Sequence, residues 1–185
     1  MERQVSSQSD DAIPFSVDIS RMIELLAAQI YPSPFALLRE NVQNAFDAIM
    51  LRKHAGQSFA PSVDVLIEPN RIVVTDNGIG MSRKELREHF WRAGSSSKNN
   101  DEARAAGVVG TFGIGAMANF GIADRLEVVS ESAVYGERTR CNAERSTLSV
   151  TDDCIKFTSE EPSGQPGSSV TATMQAGHTI DVAQA

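Results

Sequence analysis

The segment from about Pro34 to Lys53 constrains the fold most. On a helix advancing about 100° per residue, Leu38, Val42, Ala45 and Ile49 cluster on one side, and Glu40, Asn44 and Asp47 fall within an arc of roughly 60° opposite. Such a helix needs a surface for its apolar stripe, and the residues after it supply one. β-branched residues dominate Ser62 to Ile67 and Arg71 to Thr75, with Glu68-Pro69-Asn70 suited to the hairpin turn between them. A polar arc by itself marks nearly every amphipathic helix, and a solvated face is its plainest reading.

Similar patterns run through the rest of the chain. Ile13, Phe15, Val17 and Ile19 alternate as in a short strand. Met22, Ile23, Leu26 and Ile30 recur at helical spacing until Tyr31-Pro32-Ser33-Pro34 breaks the run. Ser82 to Trp91 reads as a helix, with Ser82 as cap and Glu85 completing a capping box. Ala93 to Val109, rich in Ser, Asn, Ala and Gly, has the composition of a mobile segment, and a short helix is expected from Gly115 to Phe120. Strands are expected near 126–130, 147–150, 155–158 and 169–174, separated by turns at Gly136, Asp152-Asp153 and Pro162 to Gly167. Residues 1–12 read as a disordered leader, 13–176 as one domain and 177–185 as the start of a linker.

With 185 residues, 41% hydrophobic and 22% charged, the chain can bury a core without disulfide or metal staples. A net charge of -7 and a pI near 5.0 argue against a surface built for nucleic acid or anionic lipid. Cys141 and Cys154 lack Cys-x-x-Cys spacing, and His54, His89 and His178 lack metal-ligand spacing, so a metal held by protein ligands alone is not expected. No apolar segment approaches the roughly 20 residues of a membrane span, and the cytoplasm is the expected compartment.

Two loops carry chemistry. Asp76 ends an apolar strand before Gly78 and Gly80, so its carboxylate projects beside backbone that a flat ligand can approach closely. It could accept a hydrogen bond from an exocyclic amine; a simple Asp-Asn-Gly turn is the competing account. Gly110-Thr111-Phe112-Gly113-Ile114-Gly115, running into a helix, offers successive N–H groups at a positive helix end, an arrangement that binds phosphate. Neither run has the dinucleotide spacing, and no Gly-Lys-Ser/Thr occurs, so Rossmann and P-loop readings drop out.

Taken together, Glu40-x-x-x-Asn44-x-x-Asp47-Ala48, Asp76-x-Gly78-x-Gly80-Met81, Gly110 to Gly115, and Gly167-Ser168 before a strand resemble four ordered ATP-binding boxes. They are those of the gyrase, heat-shock protein 90, histidine kinase and MutL superfamily (GHKL). The flanks are similar to the heat-shock protein 90 branch: Phe15-x-x-Asp18-Ile19, Tyr31-Pro32-Ser33-Pro34 before Leu38-Arg39-Glu40, and Ala123 to Val128. The resemblance covers roughly Ile13 to Met174. It implies an α+β fold, a two-layer α/β sandwich of the Bergerat type with helices on one face of a mixed, mostly antiparallel sheet.

By that resemblance, Glu40 is the expected general base. Asn44 would hold a magnesium ion on the phosphates, Asp76 would read the adenine amine, and Ser168 would support Asp76. Asp47, Ala48, Gly78, Gly80 and Met81 would line the nucleotide, and Gly110, Thr111, Phe112, Gly113, Ile114 and Gly115 would wrap the phosphates. Ala93 to Val109 matches the position of the chaperone lid, a few residues shorter than usual, with Arg92 or Lys98 able to approach phosphate. Asn41 stands where a leucine is common, and Leu51 where a basic residue is often found.

The expected ligands are ATP and ADP with Mg2+, and the expected activity is slow hydrolysis by a chaperone's nucleotide-binding domain. The full-length protein would dimerise and bind client proteins, whereas the isolated domain could be monomeric; no nucleic-acid or membrane partner is expected. The family's middle and dimerisation domains do not fit after Met174, so a fragment is expected. A MutL-like or gyrase-like ATPase and a regulatory module that binds nucleotide without hydrolysing it are the alternatives.

Overall fold

The structure, a computed structural model, describes residues 34–92, 119–149, 151–175, 177 and 180. The expected strand at 13–19, the helix at 22–30, the segment 93–109, the glycine run and most of the helix after it lie outside these residues.

Helix α1 spans Pro34–His54, and the hairpin that follows pairs β1 (Val63–Glu68) with β2 (Arg71–Asp76). A short helix, α2, makes one α turn at Arg83–Glu85 and continues with π geometry through Leu86–Phe90. Its expected capping box is present: the Glu85 N–H donates to the Ser82 hydroxyl, and the Glu85 carboxylate accepts the Ser82 N–H. Strands β3 (Ala123–Glu131), β4 (Arg138–Glu144), β5 (Lys156–Glu160) and β6 (Gly167–Met174) complete a sheet of order β1-β2-β6-β3-β4-β5. Every described pairing is antiparallel.

Both helices pack on one face of this sheet. Leu37 and Ala45 of α1 meet Ile72, Val74, Leu126, Ala143 and Ala172, while Leu86 of α2 meets Val128 and Cys141. The arrangement is the expected α+β sandwich. After β6 the chain still contributes to the core at Ile180, whose N–H donates to the Pro69 carbonyl. Among the described residues, no helix is long and apolar enough to cross a membrane.

Two expectations need correction. The strand expected at 147–150 is not seen at the described residues 147–149: Arg145–Thr147 form a 3-10 turn, and the strand is β4, at Arg138–Glu144. The inward residues of β4 are Thr139, Cys141 and Ala143, too small and polar to show a hydrophobic alternation. The polar arc of α1 is also not its solvated face. Asp47 is fully buried, Glu40 and Asn44 are half-buried, and the solvent side carries Phe35, Arg39 and Phe46.

The other sheet face is held by alternating charge across β3, β4 and β5. Arg140 bridges Glu127 at 2.6 Å and Glu160 at 2.5 Å, and Arg138 bridges Glu160 at 2.9 Å. Glu131, only 3% exposed, ends the ladder by accepting the Ser163 N–H (2.8 Å), the Ser163 hydroxyl (2.7 Å) and the Gly164 N–H (2.7 Å). Burial works to raise its carboxyl, but those hydrogen bonds and Arg138 outweigh it and hold the group below the usual glutamate range. The stabilisation is therefore present at neutral pH and is lost as pH falls through that lowered value.

Glu131→Ala should destabilise the domain by about 2 kcal/mol, because it removes the buried carboxylate that holds Ser163 and Gly164 and one of the two carboxylates paired with Arg138. Glu68→Ala, which breaks the exposed Glu68–Arg71 pair, should leave the melting temperature nearly unchanged. Thermal unfolding of the two variants at pH 7.5 checks the contrast, and equal losses would contradict it.

Candidate functional site

The site forms where the end of β2 meets α1. Asn77 is fixed first: its side chain accepts the Ser62 N–H (2.8 Å) and donates to the Ala60 carbonyl (2.7 Å), while Arg52 of α1 donates to the Asn77 carbonyl (2.7 Å). The Ile79 N–H then donates to the Ala48 carbonyl of α1 at 3.0 Å. Gly78 lies so close to that helix turn that a Cβ on it would fall 2.6 Å from the Ala48 Cβ and 2.7 Å from the Ile49 nitrogen. Only glycine permits this approach.

Gly80 is required for a different reason. Its φ of +64° is left-handed, and a Cβ there would run into the Glu131 carbonyl. The loop is closed from the β3 side by the Ala133 N–H, which donates to the Ile79 carbonyl at 2.8 Å, and by the Met81 N–H, which donates to the Ser130 hydroxyl at 2.8 Å. Gly167, at φ +142°, packs against the Asp76 carbonyl where a side chain could not fit.

Within this frame the inward residues change character over a single row of the sheet. Val74, Val170, Val128, Cys141 and Phe157 are successive cross-strand partners from β2 to β5. One step along lies the row Asp76, Ser168, Ser130, Thr139 and Ser159, polar at every position. Ser168 and Ser130 are both buried, and their hydroxyls are 2.9 Å apart.

Asp76 accepts the Gly78 N–H at 2.7 Å and the Ser168 N–H. Burial nevertheless dominates those bonds and pushes its carboxyl up to about 6. On α1, Asp47 accepts from the Gln43 amide at 3.0 Å. Asn41 donates to Asn119 at 2.8 Å, a buried amide pair joining α1 to the chain just before β3.

Of the residues singled out in the sequence, Ala48, Asp76, Gly78, Gly80, Met81 and Ser168 are brought together by these contacts. Glu40, Asn44 and Asp47 lie on the same helix as Ala48, Asp47 fully buried and the other two half-buried. Arg92 is exposed just past α2, and Lys98 and Gly110 to Gly115 lie outside the described residues. Asp76 ends an interior strand rather than an edge strand, which explains its burial.

Sequence reasoning missed Arg52, Asn77, Ser130 and the Asn41–Asn119 pair. Two of these had a visible signal. Ser130 is a polar residue in the inward register of Leu126 and Val128, and Asn41 interrupts the stripe Leu37, Ala45, Ile49.

This constellation, two glycines allowing a strand-end carboxylate to sit against a helix bearing Glu, Asn and Asp, can be set beside known proteins. Residues 32–173 match the family model described as histidine kinase-, DNA gyrase B-, and HSP90-like ATPase. The chain belongs to this ATPase family. As a member, it is a nucleotide-binding domain of the HSP90-like kind.

Its similar relatives include the Chaperone protein HtpG of Nitratidesulfovibrio vulgaris, 30% identical over 171 residues, covering 81% of this chain and 26% of that protein. The HtpG of Rhodopseudomonas palustris strain BisB18 is 33% identical, covering 67% of this chain and 23% of the relative. That of Borreliella afzelii is 28% identical over 66% of this chain and 22% of the relative. The chain thus spans about a quarter of the length of the relatives it matches.

The raised carboxyl of Asp76 makes a stability prediction. Between its ordinary value of 3.8 and about 6 the folded state holds a proton that the unfolded state has released, so stability rises as pH falls through that window. At pH 7.5 both states are ionised, and the buried charge costs the fold up to about 3 kcal/mol. Asp76→Asn should therefore raise the unfolding free energy of the nucleotide-free domain at pH 7.5, with the gain vanishing towards pH 4. Urea unfolding at the two pH values reads it; a variant destabilised at pH 7.5 would contradict the assignment.

Proposed function

We propose that this domain binds ATP and ADP with magnesium and hydrolyses ATP slowly, as the nucleotide-binding part of a heat-shock-protein-90-like chaperone. The observation that carries the reading is the seating of the Asp76–Gly78–Gly80 loop on Ala48 of α1. A hydrogen-bond acceptor for a base edge and the helix bearing Glu40 and Asn44 then belong to one site.

In this reading Asp76 accepts the adenine amine, Gly78 and Gly80 give the base a surface free of side chains, and Met81, Asp47 and Ala48 complete its wall. Glu40 orients and deprotonates the attacking water; a positioned carboxylate typically contributes about 10²- to 10⁴-fold in rate. Asn44 holds the magnesium ion, which offsets phosphate charge and, keeping several waters, needs few protein ligands. The donor set fits that requirement: the half-buried Asn44 carboxamide lies one turn from Glu40 on α1. Gly110 to Gly115 wrap the phosphates, with Arg92 and Lys98 approaching from the segment before them.

The chaperone name of its HtpG relatives supports client binding in a longer protein, and that protein would also dimerise. The bound nucleotide would govern both.

Glu40→Ala should leave the calorimetric affinity for ADP within about twofold of wild type and abolish phosphate release from ATP. Asp76→Asn should abolish ADP binding. Equal loss of binding and turnover in the Glu40 variant, or tight ADP binding by the Asp76 variant, would overturn these roles.

A further inference from the structure

Asn77-Gly78 is the one Asn-Gly pair in the 185 residues, and it stands inside the loop that α1 holds in place. Such a pair has a chemistry of its own. With no side chain on the second residue to hinder it, the Gly78 amide nitrogen can attack the side-chain carbonyl carbon of Asn77. The bond from that carbon to Nδ2 breaks, the proton of the attacking nitrogen leaves with ammonia, and a five-membered imide closes. Water then opens the imide at one carbonyl or the other, leaving aspartate, or isoaspartate with the main chain rerouted through the side chain. The net change is a carboxamide and a water converted to a carboxylic acid and ammonia.

The structure opposes the first step. Attack needs the Asn77 Cγ over the face of the Gly78 amide, but the carboxamide is engaged elsewhere: its oxygen accepts the Ser62 N–H at 2.8 Å and its nitrogen donates to the Ala60 carbonyl at 2.7 Å. The backbone is held too. The Asn77 N–H donates to the Ser62 carbonyl at 3.3 Å, Arg52 donates to the Asn77 carbonyl at 2.7 Å, and the Gly78 N–H, donating to the Asp76 carboxylate at 2.7 Å, fixes the plane of the amide. Arg52 is itself steadied by donating to Gln57 at 2.9 Å and by lying 4.3 Å from the centre of the Phe59 ring. Turning Cγ toward Gly78 therefore gives up both side-chain bonds, while the close packing of Gly78 on Ala48 resists movement of the nitrogen.

We propose that Asn77 is a deamidation site that the seated loop holds dormant: cyclisation proceeds when the loop opens, and the product cannot reseat. Isoaspartate adds a methylene to the main chain just before Gly78, whose fit against Ala48 tolerates no displacement. Aspartate keeps the path of the chain but sets an anionic oxygen, in place of a donor, against the Ala60 carbonyl. Either product unmakes the contact on which the site is built.

The test follows position 77 by mass spectrometry of the tryptic peptide from Ile72 to Arg83, whose sole asparagine is Asn77. The whole chain is aged at mildly alkaline pH, either folded or in urea. Folded wild type should deamidate at least about tenfold more slowly than the unfolded chain, and Arg52→Ala, shown to be folded by circular dichroism, about fivefold faster than folded wild type. Folded wild type that reacts as fast as the unfolded chain, or a folded Arg52→Ala chain as slow as wild type, overturns the proposal. The comparison of folded with urea-unfolded wild type decides the matter even if the Arg52 variant does not fold.

Deamidated chain, separated from the rest by its added negative charge, should melt below the unmodified chain. Equal melting temperatures would mean that the loop reseats, and would overturn the second half of the proposal. None of these readouts involves a nucleotide, so their failure is distinct from failure of the adenine role of Asp76.

Discussion

The organising contact is the seating of a strand-end loop on the long helix. Gly78 comes closer to Ala48 than any side chain would permit, and the Ile79 N–H finds its acceptor in the carbonyl of that same residue. Because α1 is fixed against β2 at this point, the arc of Glu40, Asn44 and Asp47 and the carboxylate of Asp76 share one frame. A methyl group at position 78 would push helix and loop apart. The remaining ties, from Arg52 to Asn77 on one side and from Ala133 and Ser130 on the other, hold the loop in the pose that glycine makes available.

The second theme is a conflict between stability and use. The sheet's inner face could have continued as an apolar packing surface, yet one row across five strands is polar, and its first member is a carboxylate raised by burial. Natural proteins tolerate such rows mainly where a ligand repays the cost of keeping polar groups buried. The inner face therefore divides into an apolar packing half, from Ile72 to Val128, and a polar row, from Asp76 to Ser159. The outer face, with its alternating arginines and glutamates, accounts for a different share of stability and meets the site loop at Glu131, against whose carbonyl Gly80 packs.

Much of this was legible before the structure. The long helix, the hairpin, the capped short helix and the glycine-flanked Asp76 follow from local rules of periodicity, capping and backbone freedom. Strand β4 was not legible, because its inward side chains are Thr, Cys and Ala and its outward ones are charged or amide, so neither period nor hydrophobicity marks it. The orientation of α1 was hidden for a deeper reason. A carboxylate on a helix defaults to solvent, and only tertiary packing shows that Asp47 is buried while Phe46 beside it is 47% exposed. Ser130 belongs to the same class: its inward register was visible, but its partners come from two distant stretches of sequence.

Heteronuclear NMR of the isotopically labelled domain during titration with magnesium and ADP tests the account most directly. Amide shifts should concentrate at residues 40–48, at Asp76 to Met81 and at Ser168, while outer-face positions such as Asn142 and Thr158 stay still. Saturable shifts confined to some other surface, or no shift at millimolar nucleotide, would contradict the account.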